Sequence, residues 1–453
     1  MPAASPIRIY DPDEARQTIL ARQLTGEVRA TPQLMAGIER VFGRALTPEQ
    51  AVAHILEDVR QRGDEALREW TQRVDGVFLD DFVVPVEQLR AAYETLAPEL
   101  RAALHTAIER VRAFHQRQPL HGWIEWSDSG SALGQIVRPL ERVLIYAPGG
   151  TAPYPSTVIM SAVPAQVAGV REIYVTSPAG KDGRPATVIL AAAYACGIRD
   201  VYRVGGAQSI AAFAYGTSSI PRVDKIVGPG NIFVALAKRQ VYGWVDIDGL
   251  AGPTETLIVA DETADPALVA ADLLAQAEHD PLASAILITH SHSIAVEVQV
   301  QVAAQLESLS RSEVIVESLR AQGGIVVCAS LEEAIELANL YAAEHLCLHV
   351  AQPWLWLGRI RHAGGVFLGE HSYEALGDYV VGPSHVMPTL GTARFASPLT
   401  VRDFTKIISL FGLSKEEADR IGAAALTLAQ AEGLTAHAAA IAKRLQRDGS
   451  QSL

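Results

Sequence analysis

Two kinds of periodicity alternate along this chain. From Thr47 to Arg62 (TPEQAVAHILEDVRQR) the apolar positions Val52, Ile55, Leu56 and Val59 recur at three- and four-residue steps, which predicts an amphipathic helix. Its start is specified as well: Thr47 in the cap position, Pro48 first inside, Gln50 third. Pro85–Arg117 reads as a further helix pair, and Trp123–Ser129 as a polar, aromatic break. From Glu141 the texture changes. The short apolar runs VLIYA, REIYVTS, DVYRVG and DKIVG alternate with alanine-rich helical stretches opening at Ser156, Pro185, Ala207 and Asn231. After Ala251-Gly252-Pro253 the alternation resumes through TLIVAD, SAILITH, GIVVCAS, LCLHV and GGVFLG. Apolar runs spaced by helices predict right-handed βαβ units on parallel sheets covered on both faces. The fold class is therefore α/β, with two consecutive doubly wound blocks meeting near Gly249–Thr254. Val386–Thr400, with two prolines and few periodic apolar positions, reads as a linker or extended arm, and Lys415–Arg447 as helix broken once at Glu432-Gly433.

Composition narrows the partners. The 453 residues carry 38 Lys+Arg against 51 Asp+Glu, a net charge of −13, with no basic run, which argues against nucleic acid and anionic membrane. No stretch reaches the roughly 18 apolar residues of a spanning helix, and the N-terminal segment lacks the basic-then-apolar order of a signal peptide. The three cysteines, Cys196, Cys328 and Cys347, have no paired spacing, so a disulfide framework is not expected and a reducing compartment is. The expectation is a soluble cytoplasmic protein.

In an open parallel sheet, ligands bind beyond the C-terminal ends of the strands. Three strands of the first block end in glycine turns that lead into helices: Ala147-Pro148-Gly149-Gly150-Thr151, Gly205-Gly206-Ala207-Gln208 and Gly228-Pro229-Gly230-Asn231. Such turns bring backbone N–H groups and a positive dipole end to an anion, and three in one block favour a nucleotide or another anion. Phe233 replaces the third glycine of the dinucleotide fingerprint, so NAD does not follow from these turns alone.

The second block holds the ionisable candidates. Gln276 and His279 lie three apart on one face at the end of a helix capped by Asp265, placed either to share a metal ion or to form a polar helix end. Glu344-His345 falls at a helix-to-strand turn, where the pair serves either as a proton-transfer couple or as a cap. Asp378, His385, Glu432 and His437 occupy turns and breaks, and each taken singly reads as a turn or cap residue. Cys347, two residues past His345, invites a thiol-nucleophile reading, but its apolar strand predicts a core position.

Taken together, YAPGGTAPYPSTVIM, VGGAQSIAAFAYGT, KIVGPGNIFVALAKRQV, GLAGPTE, LLAQAEHDP, AAEHL, GDYVVGPSHVMPT and AEGLTAHAAAIAKR, spread in order from about Arg142 to Arg444, closely resemble the histidinol dehydrogenase family. The resemblance implies zinc, one ion per subunit, held by Gln276, His279, Asp378 and His437, and NAD contacts at Tyr146, Gln208 and Asn231. It implies substrate contacts from Thr254, Gln276, His279, His345, Asp378, Glu432 and His437, with Glu344 and His345 as the catalytic pair. The implied reaction oxidises L-histidinol through bound L-histidinal to L-histidine, by two NAD-dependent hydride transfers.

The implied architecture is two incomplete Rossmann-like domains with small helical arms. Residues 1–24 would form an N-terminal arm, 25–130 with 255–385 the catalytic domain, 131–254 an inserted NAD domain, and 386–453 a C-terminal arm swapped between the subunits of a homodimer. Thr254 and Ser384 depart from the serine and asparagine common in the family. The competing readings are a same-fold zinc/NAD dehydrogenase of another alcohol such as a sulfonated diol, a metal-assisted hydrolase, and a non-catalytic binder.

Overall fold

The computed structural model describes residues 5–22, 31–149 and 153–445. Gly150 and Thr151 of the first glycine turn, the end of the expected N-terminal arm and the last residues of the expected C-terminal arm lie outside them. The chain divides into two compact units, residues 1–118 with 140–404 and residues 119–139 with 405–453.

The first unit contains two all-parallel sheets. The larger orders its strands Ile9–Tyr10, Gly324–Val327, Ser284–Thr289, Glu255–Ala260, His345–His349 and Gly365–Leu368. The smaller runs Asp200–Tyr202, Glu172–Thr176, Arg142–Tyr146, Lys225–Val227 and Asp246–Ile247. Every residue of Glu255–Ala260 and Ser284–Thr289 is buried, as continuous apolar runs require when helices cover both faces. The predicted caps form as well: Thr47 and Gln50 make a reciprocal capping box, and Asp265 accepts from the Ala267 amide. Among the described residues no helix is long and apolar enough to cross a membrane.

Two domain assignments need correcting. The N-terminal helices, expected with the larger sheet, instead pack on helices of the smaller one: Pro48–Arg62 lies against Gly206–Tyr215 and Ile232–Val241, Asp64–Asp75 lies against Gly206–Tyr215, and Val52, Ile55 and Trp70 share a core with Tyr146, Phe213 and Val234. Val86–Glu94 and Pro98–His115 likewise pack on Thr187–Ala195 and Pro155–Ala168 of that side. An amphipathic pattern specifies a buried face, not the surface that buries it. The segment expected to begin the C-terminal arm, residues 386–404, belongs to the first unit, where it carries a short 3-10 turn at Thr392–Arg394. The N-terminal arm also supplies an edge strand, Ile9–Tyr10.

The second unit is a three-stranded antiparallel sheet, ordered Thr405–Gly412, Ala132–Pro139 and Trp123–Trp126, with helices Lys415–Ala431 and Thr435–Leu445 packed on one another. The stretch read as an aromatic break is thus a strand. All four of its residues are exposed, so no buried alternation marked it in the sequence.

Candidate active site

A cavity of about 830 Å³ in the first unit is lined by turns of the smaller sheet and by residues at the edge of the larger. The two sheets contribute opposite ends. On the smaller sheet the lining comes from the C-terminal ends, as expected: Tyr146 closes its strand, and Gly206 and Gly230 follow theirs. On the larger sheet it comes from the N-terminal ends, where Thr254 precedes Glu255–Ala260 and Glu344 precedes His345–His349. Gln276 ends its helix at this level because that helix is a crossover between two parallel strands, Glu255–Ala260 and Ser284–Thr289, and so runs back toward their starts.

On the smaller-sheet side, the Gly206 amide donates to the Tyr146 hydroxyl at 3.2 Å, and burial pushes the Tyr146 pKa up to about 12. Gln208 Nε2 donates to Asp75 Oδ2 at 3.1 Å, while its buried Oε1 has no partner. Asn231 caps the following helix, accepting from the Phe233 and Val234 amides at 3.1 and 3.2 Å. Gly228 has φ +107°, and a Cβ there would meet the Tyr146 carbonyl oxygen at 2.2 Å, so packing alone requires this glycine. Its amide donates to Asp248 Oδ2 at 2.7 Å and its carbonyl accepts from Lys238 Nζ at 3.0 Å, while Lys238 pairs with Asp248. This buried ion pair clamps the turn. The sequence reading missed it, since an isolated lysine and aspartate ten residues apart carry no pattern.

On the larger-sheet side, Glu344 Oε2 accepts from the Thr254 hydroxyl at 2.6 Å and the Glu255 amide at 3.0 Å. Burial pushes its pKa up to about 7, against the opposing pull of His345 and the Thr254 hydrogen bond. His345 Nδ1 faces the Glu255 carbonyl oxygen at 3.3 Å, with Glu344 Oε2 and Glu374 Oε1 each at 3.7 Å. The Glu255 carbonyl, which can only accept, holds the proton on Nδ1 and leaves Nε2 as the basic nitrogen, buried without a hydrogen-bond partner and 4.0 Å from Asp378 Oδ1. Glu374, which the sequence reading also missed, is buried and accepts from the Thr256 hydroxyl; burial first, then the charge of Asp378, holds its carboxyl well above the usual range.

Gln276 Nε2 donates to Thr254 Oγ1 at 2.9 Å, and its Oε1 is buried without a partner, while His279 and Asp378 line the cavity. His385 joins them, with Nδ1 2.9 Å from the Asp378 carbonyl oxygen. Ser384 donates to the Met160 carbonyl at 3.1 Å. Cys347 is fully buried, and desolvation pushes its thiol well above its ordinary pKa, as befits a core residue. Glu432 and His437 belong to the second unit, where both are exposed, one ending Lys415–Ala431 and the other inside Thr435–Leu445. Among the described residues no three His, Cys, Asp or Glu side chains form a metal-holding group. Gln276 is not among the residues lining the cavity, but its buried free Oε1, with His279 and Asp378 on that lining, suits a cation that takes mixed nitrogen and oxygen donors.

Residues 44–445 match the family model described as histidinol dehydrogenase. A histidinol dehydrogenase of Deinococcus radiodurans is 57% identical over 416 residues, which cover 91% of this chain and 94% of that protein. The enzyme of that name from Thermus thermophilus is 51% identical over 392 residues, covering 86% and 93%. The crystal structure of histidinol dehydrogenase from Elizabethkingia anophelis superposes with a TM-score of 0.90 at 34% identity, covering 99% of this chain and 100% of that one.

Proposed function

Since the chain belongs to the histidinol dehydrogenase family, oxidoreductases of histidine biosynthesis acting on histidinol, we propose that it oxidises L-histidinol to L-histidine through bound L-histidinal, in two NAD-dependent steps at a zinc site. One observation carries this reading: a single cavity is lined by Tyr146, Gln208 and Asn231 on one side and by His279, Glu344, His345 and Asp378 on the other. When bound, NAD supplies the hydride acceptor and zinc a template for the amino alcohol. Gln276 Oε1, His279 and Asp378 would hold the metal with His437, and Thr254 and Glu432 would complete the substrate contacts.

His345 Nε2, left basic by the Glu255 carbonyl at Nδ1, takes the hydroxyl proton as the alcohol carbon is oxidised. Glu344, with a pKa near 7, then accepts a proton from the water that adds to the aldehyde, while protonated His345 returns its proton to the aldehyde oxygen, so that the hydrate forms and His345 is a base again. His345 takes the proton of the resulting hydrate in the second oxidation. Enclosure within the cavity keeps the reactive aldehyde from side reactions.

The working form proposed is a homodimer in which the C-terminal arm of one copy brings Glu432 and His437 to the site of the other. In support, the second unit exposes large apolar side chains that a lone copy leaves in water, Phe411 at 82%, Trp126 at 71% and Leu428 at 64%. The deciding measurement is NADH formed per L-histidinol consumed by the zinc-loaded protein, with released histidinal trapped. Two NADH, histidine as product and no free aldehyde are expected. One NADH with aldehyde released would refute the four-electron reading, and turnover of other diols but not histidinol would refute the substrate.

A further inference from the structure

We infer that Asp75 reads the hydroxyls of the dinucleotide's adenosine ribose and thereby selects NAD over NADP. This rests on the reading that the cavity takes a nicotinamide dinucleotide. Asp75 ends the helix Asp64–Asp75 and lines the cavity on the smaller-sheet side. One of its oxygens, Oδ2, accepts from Gln208 Nε2 at 3.1 Å, and among the described residues Oδ1 has no hydrogen-bond partner. Gln208 is 1% exposed, and its Oε1 is buried with no partner of its own. The two free acceptor oxygens therefore belong to side chains joined to one another through a hydrogen bond. They lack donors, and a vicinal diol brings two. Gly206 leaves this approach open, since a Cβ there would sit 2.5 Å from Gln208 Oε1.

The same geometry rejects a 2′-phosphate. A phosphate monoester adds negative charge and acceptor oxygens to a site already made of acceptors. Among the described residues lining the cavity there is no Lys or Arg to receive it. A pyrophosphate is equally mismatched beside a carboxylate, which leaves the ribose as the part of the cofactor that fits. The cavity lining also includes Leu34, Ile38, Phe42, Val74 and Phe233, apolar side chains that offer a surface suited to a purine ring. Burial raises the Asp75 pKa to about 6, so the carboxylate is ionised at pH 8.

The test is a fluorescence titration of the full-length protein, without histidinol, with NADH and NADPH at pH 8. The wild-type protein is expected to prefer NADH by at least about tenfold, the scale of one hydrogen bond to a charged group. Asp75→Asn, which keeps an acceptor for Gln208, and Asp75→Ser should each shrink that preference about tenfold, raising NADPH affinity and lowering NADH affinity. An unchanged preference in both variants would overturn the inference, as would equal wild-type affinity for the two dinucleotides. A control needs no variant: wild-type protein should bind the 2′-deoxyribose analogue of NADH about tenfold more weakly, and equal binding would overturn the assignment. Binding of neither NADH nor NADPH would instead overturn the cofactor reading, and the inference with it.

Discussion

Thr254 joins the two chemistries of the larger-sheet side, and replacing it by valine separates them. Its hydroxyl donates to Glu344 Oε2 at 2.6 Å and accepts from Gln276 Nε2 at 2.9 Å. Among the described residues the other donor to Glu344 is the Glu255 amide at 3.0 Å. The titratable groups facing Glu344 are His345 and Glu255, the latter paired with Arg22, and Thr254→Val replaces neither. A hydrogen bond to an ionised group is worth about 1.5–3 kcal/mol, and one pKa unit about 1.4 kcal/mol, so losing it shifts Glu344 by about 1–2 units.

The sign is upward, because the lost donor favoured the carboxylate. From a pKa of about 7, a base that must be ionised becomes about five- to fifty-fold scarcer at pH 7. The assay is kcat/KM for supplied histidinal between pH 5.5 and 10. Thr254→Val should move the acid limb up by about 1–2 units and recover at high pH, whereas Thr254→Ser, which keeps the hydroxyl, should leave it in place. An unmoved limb in the valine variant, or an equal displacement in the serine variant, would refute the reasoning.

Other outcomes follow from the same geometry. His345→Asn should depress oxidation of both histidinol and histidinal, while Glu344→Gln should chiefly harm histidinal oxidation; equal losses for Glu344→Gln in the two assays would contradict the division of roles. Because burial raises the Glu344 pKa, its contribution to stability is present below the ordinary carboxylate range and lost as pH rises through about 7. Calorimetry should therefore show Glu344→Gln melting above the wild type at pH 8.5 but not at pH 4. Lys238 and Asp248 are 3% and 7% exposed, so Lys238→Met or Asp248→Asn alone should cost about 3–5 kcal/mol in urea unfolding, and the double variant less than their sum. Simple additivity would show that the clamp is not a coupled pair. His437→Ala should lower zinc content and affinity, and mixing it with a Glu344→Gln/His345→Asn protein should restore part of the activity; failure to complement after proven subunit exchange would exclude a swapped arm.

The elements themselves were legible because their causes are local. Apolar spacing at Val52, Ile55, Leu56 and Val59, the Thr47–Gln50 box, and the all-apolar runs such as TLIVA each act within a few residues, and all formed as expected. The glycine turns at Gly205-Gly206 and Gly228-Pro229-Gly230 and the pair Glu344-His345 were legible for the same reason, since a turn and a helix-to-strand junction announce themselves in sequence. Elements without a buried face did not. Trp123–Trp126 and Thr405–Gly412 are strands defined by pairing with Ala132–Pro139, and their exposed residues carry no alternation.

What the sequence by itself determined is which elements form, where they start, and which side chains carry ionisable chemistry. Tertiary structure alone decided what those side chains face. His345 Nε2 is the basic nitrogen because Glu255, 90 residues away in the chain, places its carbonyl oxygen at Nδ1. Asp75 meets Gln208 across 133 residues because its helix packs on Gly206–Tyr215, which carries Gln208. The cavity uses the C-terminal ends of one sheet and the N-terminal ends of the other. The physical reason is common to all three. Periodicity encodes which face of an element leaves water, whereas the partner that covers that face is selected by packing complementarity between segments far apart in the chain.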